Sequence, residues 1–306
     1  MNAVCFSFPQ DAKIGRALAE ALGAEHGDLV IHRFPDGESL VRLGGDCEKK
    51  NVILVCGGHD ANANALPLLF AAQAARAMGA DNVGLVAPYL AYMRQDAKFH
   101  EGETVSAVAY GKFLSGCFDW MATVDPHLHR IKSLDEIFSI PTLCVCSMPA
   151  VSDWIAANVA DPVIVGPDSE STQWASNVAQ RIGVPWTVLR KTRTGDRQVS
   201  VSLPDPEILR GRSPVIVDDI ASSGRTLVEA ANGLQSLTTQ PVSCVVVHAL
   251  LAADAESAIG AAGIARFVST NTVVHASNAI DVVPLLAGSI RQLVAGWRSE
   301  ELAESR

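Results

Sequence analysis

Short apolar runs alternate with longer helical patterns along this chain, and no other feature constrains its fold as strongly. In the first half, apolar runs at 52–56 and 83–87 are followed by helical patterns at 65–78 and 106–114. The second half repeats the scheme, with a helical pattern at 173–182 and strand-like runs at 163–165, 187–189, 215–217 and 242–248. This alternation is typical of βαβ units with a parallel sheet, so we predict an α/β protein.

The length of the chain predicts that this architecture is divided between two domains. At 306 residues the chain exceeds the size at which a single hydrophobic core usually stops growing, although one very large domain also fits the length. A boundary near 141–150 gives domains at 1–145 and 146–306, each a mainly parallel sheet flanked by helices. The last helix of the second domain could pack back on the first.

The charge of the chain limits its partners. A formal charge of −9 disfavours nucleic acid and anionic membranes, which reward an extended basic surface. The start of the chain lacks a basic segment followed by an apolar run, and no apolar stretch reaches the ~18 residues needed to span a bilayer. We therefore expect a cytoplasmic protein without a nucleic-acid or membrane partner. Basic residues concentrate at 94–98 and 190–197, which suits a small polyanionic ligand.

The seven cysteines lack the CxxC spacing of zinc and redox sites. Most of them are expected to be small buried hydrophobic side chains. Cys144 and Cys146 lie in an apolar run at 141–146, where residues i and i+2 of a strand share one face. We interpret this pair as packing residues.

The segment 214–226, PVIVDDIASSGRT, predicts a phosphate site between a strand and a helix. Backbone amides of such a turn and the helix N-terminus converge on an anion, and Gly224 allows a close approach of the backbone. Asp218 and Asp219 could accept hydrogen bonds from sugar hydroxyls. The hydroxyl donors would be Ser222, Ser223 and Thr226. The same residue types also serve as ordinary turn and N-cap residues, so that reading stays open.

This pattern resembles the ribose-phosphate loop of phosphoribosyltransferase-like families, usually VVDDxxxTGxT. Ser223 replaces the usual threonine, and Arg225 stands where glycine is common. Four further segments, in the same order along nearly the whole chain, resemble ribose-phosphate pyrophosphokinases. The resemblance implies two similar phosphoribosyltransferase-like domains.

The first two segments contain the residues that the resemblance implies for ATP binding. RFPDGE at 33–38 is similar to the family's FPDGE signature, which implies that Phe34 stacks on adenine and that Asp36 and Glu38 accept from its amino group, in the ATP site of a neighbouring subunit. Without the family, Pro-Asp-Gly is an ordinary turn between two strands. The segment 87–107 resembles PYxxYxRQDRKxxxxEPISA and presents a mobile polar turn. Its implied ATP ligands are Arg94, Gln95 and Asp96.

The third segment, TVDPHLHRIKSL at 123–134, is similar to a family region that lies near the nucleotide and its metal. Asp125 and His127 match the family's aspartate and histidine and are implied Mg²⁺ ligands, although Mg²⁺ prefers oxygen ligands. A His-x-His zinc site through His129 competes with this interpretation, but no third and fourth ligand stands at a convincing spacing.

The fourth segment, 163–193, resembles VVVxPDxGGxxRAxxxAxxLxxxxxxxxKxR. Asp168 matches an acid that contacts ribose phosphate or its metal, and Lys191 and Arg193 match a catalytic basic pair on a polar, flexible loop. Positioned cations of this kind stabilise charge in phosphoryl transfer. Glu170-Ser171 replaces the family's glycine pair, and Trp174 replaces its arginine.

Together these segments imply a Mg²⁺-dependent enzyme that transfers the diphosphoryl group of ATP to C1 of ribose 5-phosphate. The products are 5-phosphoribosyl 1-diphosphate, used in nucleotide biosynthesis, and AMP. A shared ATP site would require self-association. A phosphoribosyltransferase and a non-catalytic regulatory homologue are the two alternatives.

Overall fold

A computed structural model describes residues 2–58, 60–194, 198–202 and 205–304 of the chain. The strands are β1 Ala3–Ser7, β2 Glu25–Arg33, β3 Ser39–Gly44, β4 Asn51–Val55, β5 Asn82–Ala87, β6 Trp120–Val124, β7 Thr142–Val145, β8 Pro162–Gly166, β9 Trp186–Val188, β10 Arg190–Thr194, β11 Gln198–Ser202, β12 Ser213–Ala221, β13 Ser243–Ala249, β14 Arg266–Thr270 and β15 Asn278–Ile280. The helices are α1 Ala12–Leu22, α2 Ala61–Ala77, α3 Ser106–Cys117, α4 Met148–Asn158, α5 Thr172–Ile182, α6 Pro206–Leu209, α7 Arg225–Gln235, α8 Ala255–Ala261 and α9 Val283–Glu304.

The chain divides into two compact units, one comprising Met1–Cys146 and Val282–Arg306 and the other Ser147–Asp281. We call them unit 1 and unit 2. The last helix, α9, belongs to unit 1, where it packs against α1. In the described ranges, none of the helices combines the length and apolar composition that crossing a bilayer requires.

Unit 1 is built on a seven-stranded sheet of order β3-β2-β1-β4-β5-β6-β7. All neighbouring strands run parallel except β2 and β3, which form an antiparallel hairpin. The inner strands β1, β5 and β6 are buried almost throughout, as expected for parallel strands covered on both faces. Helix α1 buries Ile14, Leu18 and Leu22 at four-residue spacing and ends at Gly23, whose φ of +64° is typical of a helix C-terminus.

Unit 2 is built on a six-stranded, all-parallel sheet of order β15-β14-β13-β12-β8-β9. Side chains alternate between two cores. In β8, Val163 and Val165 belong to the core that includes Leu227 of α7, whereas Ile164 belongs to the core that includes Ile155 of α4 and Val178 of α5. Helices therefore cover both faces of this sheet, and the loops after β8 and β12 leave it at the same edge.

The structure confirms the α/β fold with two mainly parallel sheets but corrects three local predictions. Strand β12 extends to Ala221 instead of ending before the two acids, because β13 pairs with it up to that residue. The predicted flexible loop at 190–195 is wrong for residues 190–194, which form strand β10 and pair antiparallel with β11. Cys144, on the edge strand β7, and Cys146, just after that strand, are exposed rather than packed.

Candidate active site

The end of β12 carries the two acids predicted for a sugar-phosphate site. Asp218 is half-buried and Asp219 is buried, and Asp218 Oδ1 accepts a hydrogen bond from the Asp219 N–H at 3.1 Å. Both acids lie within the strand, three and two residues before its end at Ala221. The sheet therefore fixes their backbone positions.

The loop that follows β12 leads directly into α7. Ser222 and Thr226 are half-buried and Ser223 is exposed, so these hydroxyl groups lie at or near the surface. Gly224 has φ +70°, and a Cβ atom there would lie 3.3 Å from the side chain of Ile259. The first N–H groups of a helix have no acceptor within the helix, and the helix dipole favours an anion beside them. This arrangement of a glycine turn before a helix N-terminus suits an anion.

Carboxylates gather around Asp218. Burial raises the pKa of Asp218 well above its usual range, and the nearby charges of Asp219, Asp168 and Glu170 raise it further, against the lowering effect of the Asp219 N–H. Asp168 lies on the loop after β8. The structure therefore brings Asp168, predicted from one segment, to the pair Asp218 and Asp219, predicted from another, and it adds Glu170. The oxygen-only donor set fits a hard cation such as Mg²⁺.

Residues 169–171, where the sequence departs from the family pattern, form a compact turn. Asp168 accepts a hydrogen bond from the Glu170 N–H at 3.0 Å, and the Ser171 hydroxyl donates to the Asp168 carbonyl at 2.7 Å. Ser171 is buried and Glu170 is exposed. The polar residues thus stabilise the turn that holds Asp168, without the backbone freedom of two glycines.

Lys191 and Arg193 lie on strand β10. Their backbones pair with Val201 and Val199 of β11 in an antiparallel hairpin. Gly195, the last residue of the predicted flexible loop, falls outside the described residues.

The FPDGE segment forms the tip of the β2–β3 hairpin. The Phe34 N–H donates to the Glu38 carbonyl at 2.8 Å, and Asp36 Oδ1 accepts from the Glu38 N–H at 3.1 Å. Phe34, Asp36 and Glu38 are all exposed, and the Phe34 ring meets His32 edge to face at 4.6 Å. The hairpin thus presents an aromatic ring and two carboxylates to solvent.

The segment 88–105 follows β5, and its three predicted ATP ligands differ in exposure. Arg94 and Gln95 are exposed, but Asp96 is buried. Asp96 accepts hydrogen bonds from Arg130 Nη1 at 2.8 Å and from the Arg130 N–H at 3.1 Å. Its partner Arg130 was missed from the sequence, because a pairing across 34 residues leaves no local pattern. Asp96 therefore holds the 88–105 segment against the loop after β6.

Asp125 and His127 lie on that loop after β6. Asp125 has φ +35°, a left-handed conformation that is unusual for a residue other than glycine. Such local strain is often found at functional sites. His127 Nδ1 lies 3.2 Å from His129 Nε2, and the two rings meet at 3.9 Å between centroids. The structure thus brings His129 to His127 as well as Asp96 to Arg130.

Comparisons with known proteins place two family models and close to full-length relatives on this chain. The N-terminal domain of ribose phosphate pyrophosphokinase, as a family model, matches residues 3–117, and the phosphoribosyl transferase domain model matches 148–275. The chain is 34% identical over 289 residues to ribose-phosphate pyrophosphokinase 2 of Archaeoglobus fulgidus, covering 92% of this chain and 98% of the relative. It is 32% identical over 286 residues to the ribose-phosphate pyrophosphokinase of Methanopyrus kandleri, covering 93% and 97%.

A solved structure has the same fold. The phosphoribosylpyrophosphate synthetase from Mycobacterium smegmatis matches with a TM-score of 0.84 at 22% identity, over 97% of this chain and 100% of that chain. The sequence matches cover nearly the whole length of both relatives, and both family models fall in the predicted order. The chain therefore belongs to the ribose-phosphate pyrophosphokinase family of transferases.

Proposed function

We propose that this chain is catalytically active and that the end of β12 and the start of α7 bind ribose 5-phosphate. The turn before α7, where Gly224 has φ +70° and the helix N-terminus follows at Arg225, is the observation that carries the proposal. The 5-phosphate would accept hydrogen bonds from backbone N–H groups of the turn and from its hydroxyls. Asp218 and Asp219 would accept hydrogen bonds from the ribose hydroxyls. The hydroxyl donors are Ser222, Ser223 and Thr226.

We propose that Mg²⁺ binds beside this sugar site. Asp168 would be a ligand, since the acids around it repel one another and a divalent cation would relieve that repulsion. Within unit 1, Asp125 and His127 are proposed as Mg²⁺ ligands, with Asp125 the better match because Mg²⁺ prefers oxygen. A bound Mg²⁺ would neutralise phosphate charge and orient the diphosphate of the donor.

ATP is the proposed donor. Arg94 and Gln95 are exposed on the 88–105 segment and would bind its phosphates, with arginine able to bind two oxygens at once. Asp96 would act by holding that segment through Arg130 rather than by touching the nucleotide. The adenine would stack on Phe34 of a second subunit.

The reaction needs no covalent intermediate on the protein. The 1-hydroxyl of the sugar attacks the β-phosphorus of ATP and releases its proton to solvent. The bond from the β-phosphorus to the oxygen that bridges it to the α-phosphorus breaks, and AMP leaves with that oxygen. Lys191 and Arg193 would stabilise the charge that develops on the transferred group, so we propose them as the catalytic residues. Because ATP and ribose 5-phosphate are metabolites of the cytoplasm, a cytoplasmic location is part of the proposal.

The test is product analysis with Mg²⁺, ribose 5-phosphate and ATP, omitting each component in turn. We expect AMP and a 1-diphosphorylated ribose in equal amounts, only when all three are present. An Asp219→Asn variant should lose most of this activity, whereas Asp81→Asn, an exposed acid before β5, should retain it. ADP as product would identify a simple kinase instead. Absence of turnover by the wild-type chain would favour the regulatory homologue.

A further inference from the structure

A buried polar cluster lies at the carboxyl ends of β13 and β14. His248, Thr270 and Thr272 are each at most 1% exposed. The Nδ1 atom of His248 lies 2.8 Å from Thr272 Oγ1, and the two threonine hydroxyls are 3.0 Å apart. Polar side chains at this depth are costly unless they are hydrogen-bonded, so the cluster has to be accounted for.

The cluster converges on one carbonyl group. The hydroxyls of Thr270 and Thr272 both donate to the Val247 carbonyl, at 2.7 and 3.0 Å. Each hydroxyl has a single hydrogen, so a Thr272 hydroxyl that donates to Val247 can accept a hydrogen bond from Nδ1 of His248. The cluster therefore ties the end of β14 and the residues after it to the end of β13.

These hydroxyls continue the pairing of β13 where its partner strand leaves it. The β13–β14 register runs from Ser243 opposite Arg266 to Val246 opposite Ser269. At the next residue, Val247, the threonine side chains supply the hydrogen bonds. On its other side, β13 stays paired with β12 up to Ala249 opposite Ala221.

The end of β13 held in this way is hydrogen-bonded to the loop at 221–226, where ribose 5-phosphate is proposed to bind. The N–H of Leu250, two residues after His248, donates to the Ala221 carbonyl at 2.8 Å. The N–H of Ala252 donates to the Ser222 carbonyl at 3.1 Å. Both bonds join the continuation of β13 to the first residues of the loop at 221–226, so a shift of one segment would be transmitted to the other.

The segment after β14 is itself well fixed. The side-chain amide of Asn278 donates to the Thr270 carbonyl at 2.6 Å and to the Val273 carbonyl at 3.0 Å. The Asn271 N–H donates to the Ile280 carbonyl at 2.9 Å. The two threonines therefore stand on a rigid base from which they can position β13.

From these contacts we propose that His248, Thr270 and Thr272 form a positioning network for ribose 5-phosphate: they fix the end of β13 and, through Leu250 and Ala252, the loop at 221–226. None of the three touches the substrate. The inference rests on the proposed function for the identity of the ligand. The ordering of the loop can be measured without any turnover.

The test compares three variants of the full chain. Thr272→Val removes the hydroxyl at nearly constant volume, and Thr272→Ser restores it. Val242→Ala is the control, because Val242 is equally buried but precedes β13, at the opposite end of the strand from His248. Amide hydrogen exchange of 219–228 and the KM values for ribose 5-phosphate and ATP are measured for each.

We expect Thr272→Val to speed exchange in 219–228 and to raise KM for ribose 5-phosphate by about tenfold, with KM for ATP changed far less. Thr272→Ser should recover most of both effects, and Val242→Ala should show neither at a comparable loss of Tm. If Thr272→Val only lowers Tm and leaves exchange at 219–228 equal to that of Val242→Ala, the network is merely structural and the inference is wrong. A wild-type chain without turnover would defeat the proposed function, while the exchange data would still decide on the network.

Discussion

Gly224 is the residue whose backbone conformation bears most directly on the proposed binding of ribose 5-phosphate. Alanine at this position would keep φ near +70°, which costs about 1–2 kcal/mol, and its methyl would press on Ile259 at 3.3 Å. We expect Gly224→Ala to lower the free energy of unfolding and to raise KM for ribose 5-phosphate about tenfold. Urea unfolding and steady-state kinetics measure the two effects.

Gly211 provides the matched control for this prediction. Its φ is +71°, but an added Cβ would meet nothing within 4 Å, and it precedes β12. Gly211→Ala should therefore lose similar stability without any change in KM. An equal KM effect in both variants would mean that Gly224 acts on global stability and not on the loop.

The contribution of Asp96 to the stability of the fold should depend on pH. Burial tends to raise its pKa, but the hydrogen bonds and charge of Arg130 outweigh burial, so the pKa is lowered overall. A lowered folded-state pKa stabilises the fold above the unfolded value of about 3.9, and this stabilisation is lost as pH falls through the folded pKa. We expect Asp96→Asn to cost about 1–3 kcal/mol at pH 7.

The difference between wild type and Asp96→Asn should shrink as pH is lowered from about 5 past the unfolded pKa of about 3.9 and towards the lower folded-state pKa. Urea unfolding at several pH values measures it. Asp81 is exposed and immediately precedes β5, so Asp81→Asn serves as the reference. A cost for Asp96→Asn that stays constant over this range would contradict the assigned charge pair.

At the scale of elements, β5 and β6 depend on a glycine. Gly84 lies opposite Trp120, and a Cβ atom at Gly84 would lie 1.9 Å from the indole ring of that buried tryptophan. We expect Gly84→Ala to destabilise unit 1 by about 3 kcal/mol or more, because a packed core cannot yield that far. Gly116→Ala in α3, where an added Cβ meets nothing within 4 Å, should leave the unfolding free energy unchanged or slightly higher. Thermal and urea unfolding compare the two, and equal stabilities would refute the packing argument.

The hairpin of β10 and β11 carries the proposed catalytic cations. Lys191→Ala should lower kcat by about 10²–10³ and change both KM values little, because the charge it stabilises develops during transfer. Lys112→Ala, an exposed lysine on α3, is the control and should behave as wild type. An unchanged kcat for Lys191→Ala would remove it from the mechanism.

Elements defined by local pattern could be predicted from the sequence, and those defined by a distant partner could not. The runs at 83–87 and 173–182 differ from β5 and α5 by one residue, since periodicity is a local property. The polar segment at 190–194 predicted a loop, because its strand conformation depends on β11. Likewise, the pair Asp218-Asp219 and the distant Asp168 were recognised in two separate segments, but the effect of Glu170 on Asp218 arises only where β8 and β12 lie side by side.

At the scale of the whole molecule, the β2–β3 hairpin exposes apolar side chains that a second copy of the chain would cover. Phe34 is 40% exposed at the hairpin tip, and Val30 and Leu40 on the same hairpin are 41% and 48% exposed. Apolar surface of this kind is stabilised when another molecule covers it. It fits the proposed ATP site in which Phe34 serves a neighbouring subunit.

A mixing experiment tests this sharing. Phe34→Ala and Lys191→Ala should each be nearly inactive alone, but a mixed dimer would contain one site with both native residues. Random re-association makes about half of the dimers mixed, with one of two sites intact, so roughly a quarter of wild-type activity should return. Mixing Lys191→Ala with Arg193→Ala should restore nothing, because both residues lie on one strand of one chain. If the first mixture stays as inactive as its components, Phe34 serves its own chain, and the requirement for a second subunit in the ATP site is refuted.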